Sequence, residues 1–189
     1  MRFFIALHIP PKNQIEIKNV QQELIKIFPN IFLTEPEKLH VTIVFVGEQP
    51  EEMQISLEEI MKQAAIDIPS FELTPGYIDG FPHLHNPHTL WIGVKDDVDK
   101  LYILRERIKD GLSNLNEPVE QRRYVPHIAI AKMPPEFQIT QTEERQLEKI
   151  MQKKFSPIQI TSIKLFQSIP NHDFHTHNIL VEIPLRTKE

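Results

Sequence analysis

The chain contains no cysteine, which excludes disulfide staples, thiolate zinc sites, iron–sulfur clusters and a cysteine nucleophile. Glycine is scarce as well: five residues stand against sixteen prolines, so the connections should be stiff and sharply punctuated. There is no long hydrophobic run. The apolar start from Phe3 to Ile9 falls far short of the ~20 residues that a membrane span needs, and it meets Pro10-Pro11 with no small-residue cleavage pattern. Basic excess is also missing, since 21 Lys and Arg against 26 Asp and Glu leave a net charge of −5. That balance argues against holding long nucleic acid by phosphate neutralisation, which requires an extended basic face. Only a local basic pocket remains, with Arg122, Arg123 and Lys132 as its candidates. What is present, 40% hydrophobic and 25% charged residues in 189, is ordinary for a globular protein. A single cytoplasmic domain spanning 1–189, with no membrane contact, is the expectation.

Periodicity predicts alternating strands and helices. Arg2 to Ile9 reads as a strand, and Ile17, Val20, Leu24, Ile27 and Phe28 recur at helical spacing until Pro29 stops them. Leu39 to Val46 is β-prone, Met53 to Ala64 carries a second helical stripe, and Phe71 to Phe81 is extended with a turn or bulge at Pro75-Gly76. The order then repeats: a strand at Thr89 to Val94, a helical stripe from Val98 to Leu115, and a strand at His127 to Lys132. Thr140 and Glu143 fit a capping box that opens a helix running to about Lys153. Ile158 to Gln167 and Ile179 to Leu185 close the chain as strands, with a phase slip between Ile160 and Ile163 that suggests a bulge.

The two halves are in register. His40 and His127 stand 87 apart (127 − 40), and the same offset carries Phe4-Ile5-Ala6-Leu7 onto Trp91-Ile92-Gly93-Val94 and Phe71-Glu72-Leu73-Thr74 onto Ile158-Gln159-Ile160-Thr161. An internal duplication accounts for this. The expected architecture is α+β, with two pseudo-symmetric α/β lobes, approximately 2–81 and 89–168, whose antiparallel sheets form a central cleft, and a closing strand at 177–185.

Strand alternation identifies the chemistry. In the segment from Leu39 to Phe45, alternation puts Leu39, Val41, Ile43 and Phe45 on one face and His40 and Thr42 on the other. An imidazole and a hydroxyl two residues apart can together transfer a proton and donate to an anionic oxygen. At His127-Ile128-Ala129-Ile130 the same alternation sends His127 and Ala129 to the cleft. One histidine on a strand is usually a surface or satisfied core residue, but two at a repeat offset reverse that reading.

Here the chain resembles the two-histidine phosphoesterases, and within them the bacterial RNA 2′,3′-cyclic phosphodiesterases once called 2′-5′ RNA ligases. The family motif is H-x-T-x in two copies. His40-Val41-Thr42-Ile43 matches it in full, whereas His127-Ile128-Ala129-Ile130 has alanine in place of threonine. Arg123-Tyr124-Val125-Pro126 before the second copy and Ala131-Lys132 after it look like the family's context. So do Arg2 to Leu7, Leu39 to Gly47, Leu90 to Val94 and Ser168. The resemblance implies metal-independent hydrolysis of a cyclic phosphodiester without any cofactor. It makes His40 the proton donor to the 3′ oxygen, His127 the proton acceptor from water, and Thr42 and Arg123 phosphate ligands, with Lys132 a less secure addition. The expected partners are RNA ends or small cyclic-phosphate nucleotides, met by a monomer, and 2′-5′ ligation is a side activity that the family suggests.

Imidazoles with pKa values near ~6.5 suit either role near neutrality. Two other readings stand beside this one: a non-catalytic RNA-end binding protein, which the missing second threonine favours, and a phosphodiesterase for a small cyclic nucleotide. His83, His85 and His88, and near the end His172, Asp173, His175 and His177, invite a zinc reading. Their Pro- and Asn-rich surroundings, without matching carboxylate or cysteine spacing, read instead as polar loops, so no metal is expected. His177 is also a candidate for the substrate end. Trp91 is expected in the core and Arg122 in solvent.

Overall fold

The computed structural model describes residues 1–171 and 175–187. In chain order the elements are β1 (Arg2–His8), α1 (Pro11–Ile27), β2 (Phe32–Leu33), a 3-10 turn (Pro36–Lys38), β3 (His40–Glu48), α2 (Met53–Ala65), β4 (Phe71–Phe81) and β5 (Thr89–Asp96). There follow α3 (Val98–Asn114), β6 (His127–Lys132), α4 (Gln141–Ile150), β7 (Ile158–Ile160), β8 (Ser162–Pro170) and β9 (His175–Pro184). The local causes are those visible in the sequence. Pro11 opens α1 at a position where its missing N–H costs nothing. The stripe Ile17, Val20 and Leu24 is buried. In α4 the Thr140 side chain accepts from the Glu143 N–H at 3.3 Å while the Glu143 carboxylate accepts from the Thr140 N–H at 2.7 Å. That helix ends at Ile150, short of Lys153.

The strands form one sheet in the order β7-β4-β5-β6-β3-β1-β8-β9, with β2 added on β6. Neighbours along this path run antiparallel. β7 and β8 stand six places apart in the order, yet Thr161 alone separates them in sequence. The sheet must therefore curl until its two ends approach. This corrects the expected single strand from Ile158 to Gln167: the phase slip is the point where the chain leaves β4 and joins β1, not a bulge. At Pro75-Gly76 the signal is a bulge inside a continuous β4, where the register with β5 skips Gly76.

The 87-residue offset recurs in the elements. β1 and β5, α1 and α3, β3 and β6, and β4 and β7 begin at residues 2 and 89, 11 and 98, 40 and 127, and 71 and 158. β4, however, pairs with β5, and β8 pairs with β1, so each half of the sheet takes strands from both repeats. The halves meet where β3 lies beside β6, through the pair Val41 and Ile128.

The helices cover one face of the sheet, where Ile5, Leu7, Val41, Ile43, Ile92, Ile128, Ile130 and Leu165 are fully buried with the helical stripes. Each such side chain contributes about 1.5–3 kcal/mol, so this face holds the fold together. A separate small cluster of Phe4, Ala6 and Phe166 lies apart from that core. Phe45 departs from the expected alternation. The β1–β3 register skips Ile43 and Val46, so Ile43 and Val44 are both buried, while Phe45 is 56% exposed with its ring 6.1 Å from Phe4. A bulge shifts the phase of every later side chain.

Candidate active site

His40 and His127 open β3 and β6, and their rings are anchored alike. His40 Nδ1–H donates to the Lys38 carbonyl at 2.7 Å, and His127 Nδ1–H donates to the Val125 carbonyl at 2.6 Å. Both acceptors lie two residues before their histidine, and they stand 87 apart (125 − 38). With Nδ1 committed to a carbonyl, Nε2 is the atom of each neutral ring that can accept a proton. The strands are adjacent, and His127 lies near enough for its charge to disfavour a proton on His40.

Aromatic side chains wall both imidazoles. Around His40 stand Phe4 at 5.1 Å, His177 at 5.4 Å and Phe166 at 6.3 Å between ring centroids, and Phe4 and Phe166 stack at 5.0 Å. Around His127 stand Phe81 at 4.9 Å and Trp91 at 5.4 Å, and Tyr77 packs edge-on to Trp91 at 5.8 Å. A Cβ on Gly93 would clash with the hydroxyl end of the Tyr77 ring at Cζ, so glycine there makes room for this wall.

Trp91 is 3% exposed, as expected of a core residue, but its ring neighbours are those of His127. It is opposite Ala129 in the β5–β6 ladder. Its Nε1–H has no hydrogen-bond partner, and among the described residues no other buried side-chain nitrogen or oxygen is left so.

This enclosure sets the electrostatics. Although both histidines keep part of their surface accessible, burial pushes His40 down to about 4, only partly offset by its bond to the Lys38 carbonyl, with further depression from His177, His127 and His8. Burial also lowers His127, against the opposing bond to Val125. His177 is lowered by burial first, then by the positive charges of His175 and Lys38. In the free protein at neutral pH the paired imidazoles are therefore uncharged. A bound anion would restore a proton to one of them.

Of the other residues singled out in the sequence, Thr42 lies on the alternation face of His40, opposite Ala6 of β1. Arg123 is exposed on the connection before β6, Lys132 is exposed at the end of β6, and Arg122 is solvent-facing. His83, His85 and His88 are exposed on the β4–β5 connection, and among the described residues no group of three or more His, Asp or Glu is arranged to hold a metal. His172 and Asp173 lie outside the described residues. His175 and His177 are both on β9, which begins two residues before the expected closing strand at 177–185, and the ladder puts His177 opposite Ser168. Phe4, Phe81 and Phe166 were not singled out by sequence reasoning. The offset held a signal for one of them, since it maps Phe4, which walls His40, onto Trp91, which walls His127.

The family model of the 2′-5′ RNA ligase superfamily matches residues 10–167. The RNA 2′,3′-cyclic phosphodiesterase of Methanocaldococcus jannaschii is 32% identical over 89% of this chain and 91% of its own length. The protein of the same name from Thermotoga maritima is 27% identical over 70% of each chain. Among solved structures, TT0787 of Thermus thermophilus superposes with a TM-score of 0.78 at 19% identity, covering 100% of both chains. E. coli LigT in apo form follows at 0.74 and 18% identity, covering 98% of this chain and 97% of that one. At these identities the structural likeness concerns the fold.

Proposed function

The chain belongs to the 2′-5′ RNA ligase superfamily, and on that basis we propose that it hydrolyses RNA 2′,3′-cyclic phosphate ends to 2′-phosphates, with His40 and His127 as the acid–base pair. The observation that carries this reading is the matched anchoring of the two imidazoles, each held through Nδ1 with Nε2 left for chemistry. In the proposed step His127 Nε2 takes a proton from water as its oxygen bonds to phosphorus. The bond from phosphorus to the 3′ oxygen breaks, and His40 Nε2–H protonates that oxygen. Donor and acceptor roles follow the family resemblance. Thr42 donates to a non-bridging oxygen, and Arg123 adds charge at the RNA end. The proposed unit is one two-lobed domain acting as a cytoplasmic monomer, with no metal in the step.

The test is product analysis with a short oligonucleotide ending in a 2′,3′-cyclic phosphate, before and after chelator treatment. The expected product is the 2′-phosphate, at a rate the chelator leaves unchanged. Binding without turnover would favour an RNA-end binding protein, and a strong preference for a cyclic mononucleotide would favour the small-substrate enzyme. Loss of activity on chelation, reversed by added zinc, would overturn the metal-free step.

The depressed imidazoles set an expected pH dependence. Turnover requires one ring neutral and one protonated, so rate falls when both are protonated and when both are neutral, giving a bell. Because both rings titrate below the ordinary ~6.5 in the free protein, kcat/KM should peak on the acid side of that value. The bound phosphate's negative charge favours imidazolium, so the kcat profile should be displaced to higher pH. Both profiles on one oligonucleotide decide this. A kcat/KM maximum well above neutrality would contradict the assignment of these two rings.

A further inference from the structure

Among the described residues three buried polar side chains have no part in the proposed chemistry; Asn13 ties α1 to the Ser156 and Pro157 carbonyls, and the other two reach the histidine strands. Gln21 on α1 is 2% exposed and Arg105 on α3 is 4% exposed. Arg105 Nη1–H donates to the Ile43 carbonyl at 2.6 Å, and Gln21 Nε2–H donates to the Ile130 carbonyl at 2.9 Å and the Thr34 carbonyl at 2.8 Å. Ile43 and Ile130 are each the third residue after a site histidine, and they stand 87 apart (130 − 43). The two side chains thus grip the same carbonyl of the duplicated motif.

The grips cross over. α1 follows β1, in the half of the sheet that holds β3, yet its Gln21 reaches β6 in the other half. α3 follows β5, in the half that holds β6, yet its Arg105 reaches β3. Tyr124 adds a second tie at the Arg105 side. Its ring lies under the guanidinium at 4.5 Å, its hydroxyl donates to the Thr42 carbonyl at 2.8 Å, and it sits three residues before His127. β3 itself meets β6 at the one pair Val41 and Ile128, while further along β6 the short β2 adds the pairs Phe32–Lys132 and Leu33–Ala131 and the Thr34 N–H donates to the Ile130 carbonyl at 2.9 Å. One pair leaves the angle between the twisted strands β3 and β6 weakly determined, and a side-chain donor from each side constrains it further. Ile43 is also one of the two residues that the β1–β3 register skips, so the Arg105 bond holds β3 at that bulge.

We propose that Gln21 and Arg105, with Tyr124, are positioning residues for the proposed acid–base reaction, a reciprocal pair of clamps that sets the spacing and angle of the His40 and His127 strands. The claim rests on the reading of the site given above. A misplacement of ~1 Å can cost on the order of 10²-fold in rate, so small rotations at the seam should show in turnover. A bulk stabilising role makes a different forecast: lower melting temperature, unchanged chemistry per folded molecule.

The experiment measures kcat, KM and melting temperature for Arg105→Met, Arg105→Lys, Gln21→Leu and Tyr124→Phe on one cyclic-phosphate oligonucleotide. It adds imidazole 15N spectra of labelled protein. Arg105→Met and Gln21→Leu should lose at least ~10-fold in kcat with KM near that of the parent, and the resonances of His40 and His127 should both move. Arg105→Lys, which keeps a cationic donor, should recover part of the loss. Arg105→Met combined with Tyr124→Phe should lose little more than Arg105→Met alone, because both act on the same stretch of β3. Folded variants with parental kcat and unmoved imidazole resonances overturn the proposal. If Arg105→Met fails to fold, Tyr124→Phe decides, since it removes only a hydroxyl. Should the parent itself show no turnover, the functional reading fails, and the imidazole spectra of the variants then judge the clamps alone.

Discussion

His40→Ala and His127→Ala should each lower kcat for cyclic-phosphate hydrolysis by at least ~10²-fold, the lower scale for a positioned acid or base. The two losses should not multiply in the double variant, because a proton taken from water without one returned to the departing oxygen leaves the reaction incomplete. Truncation to alanine also removes the imidazole hydrogen bond to the Lys38 or Val125 carbonyl. His40→Asn and His127→Asn separate these effects, since an asparagine amide can occupy the Nδ1 position but offers nothing at Nε2. Those variants should melt closer to the parent and remain as slow as the alanine forms. Each should also lose one limb of the bell-shaped pH profile, and which limb disappears assigns acid and base directly. Near-normal turnover in either alanine variant, measured with protein shown to be folded, would remove the two-histidine mechanism.

The second large effect is expected at the hydroxyl positions. Thr42→Ala should lower kcat/KM by about 10²-fold, equivalent to the ~3 kcal/mol that a preorganised donor supplies when it acts on the transition state. The cost should be large because the equivalent position in the second motif is Ala129, so no second hydroxyl covers for the first. Ala129→Thr should be unchanged or faster. Ala129 lies opposite Trp91, whose buried Nε1–H lacks an acceptor. A threonine oxygen there can accept from the indole while its own proton remains available to the phosphate, and a donor polarised in this way is strengthened. The measurement is kcat/KM for both variants on one cyclic-phosphate oligonucleotide. A Thr42→Ala protein as fast as its parent would show that the hydroxyl positions are structural and that the phosphate is held elsewhere.

Much of the placement of the candidate residues is legible in the sequence. Alternation around His40 and Thr42 needs only the period of a strand, and their placement on one face agrees with it. The offset of 87 predicted which elements correspond, and the observed starts of β1 and β5, α1 and α3, and β3 and β6 follow it. The capping box at Thr140 was readable because its partners lie three residues apart. Phe45 was misread for the opposite reason. Its face depends on the bulge between β3 and β1, and a bulge belongs to a pair of strands, not to one. The closing strand is expected from His177, but that His177 stands opposite Ser168 and reaches His40 follows only from pairing of β9 with β8.

By itself, then, the sequence determined the order of the elements, the duplicated histidine strands and the side chains those strands turn away from the helix-covered core, since each is written in spacings of a few residues. The tertiary structure decided everything that depends on which distant segments become neighbours. His177 reaches His40 from 137 positions away (177 − 40), and Thr161 carries the chain from one edge of the sheet round to the other half. Gln21 and Arg105 find equivalent carbonyls across the seam. The depression of His40 to about 4 comes first from burial. Burial is a property of the assembled aromatic walls, whose members come from β1, β8 and β9, so no local pattern around His40 encodes it.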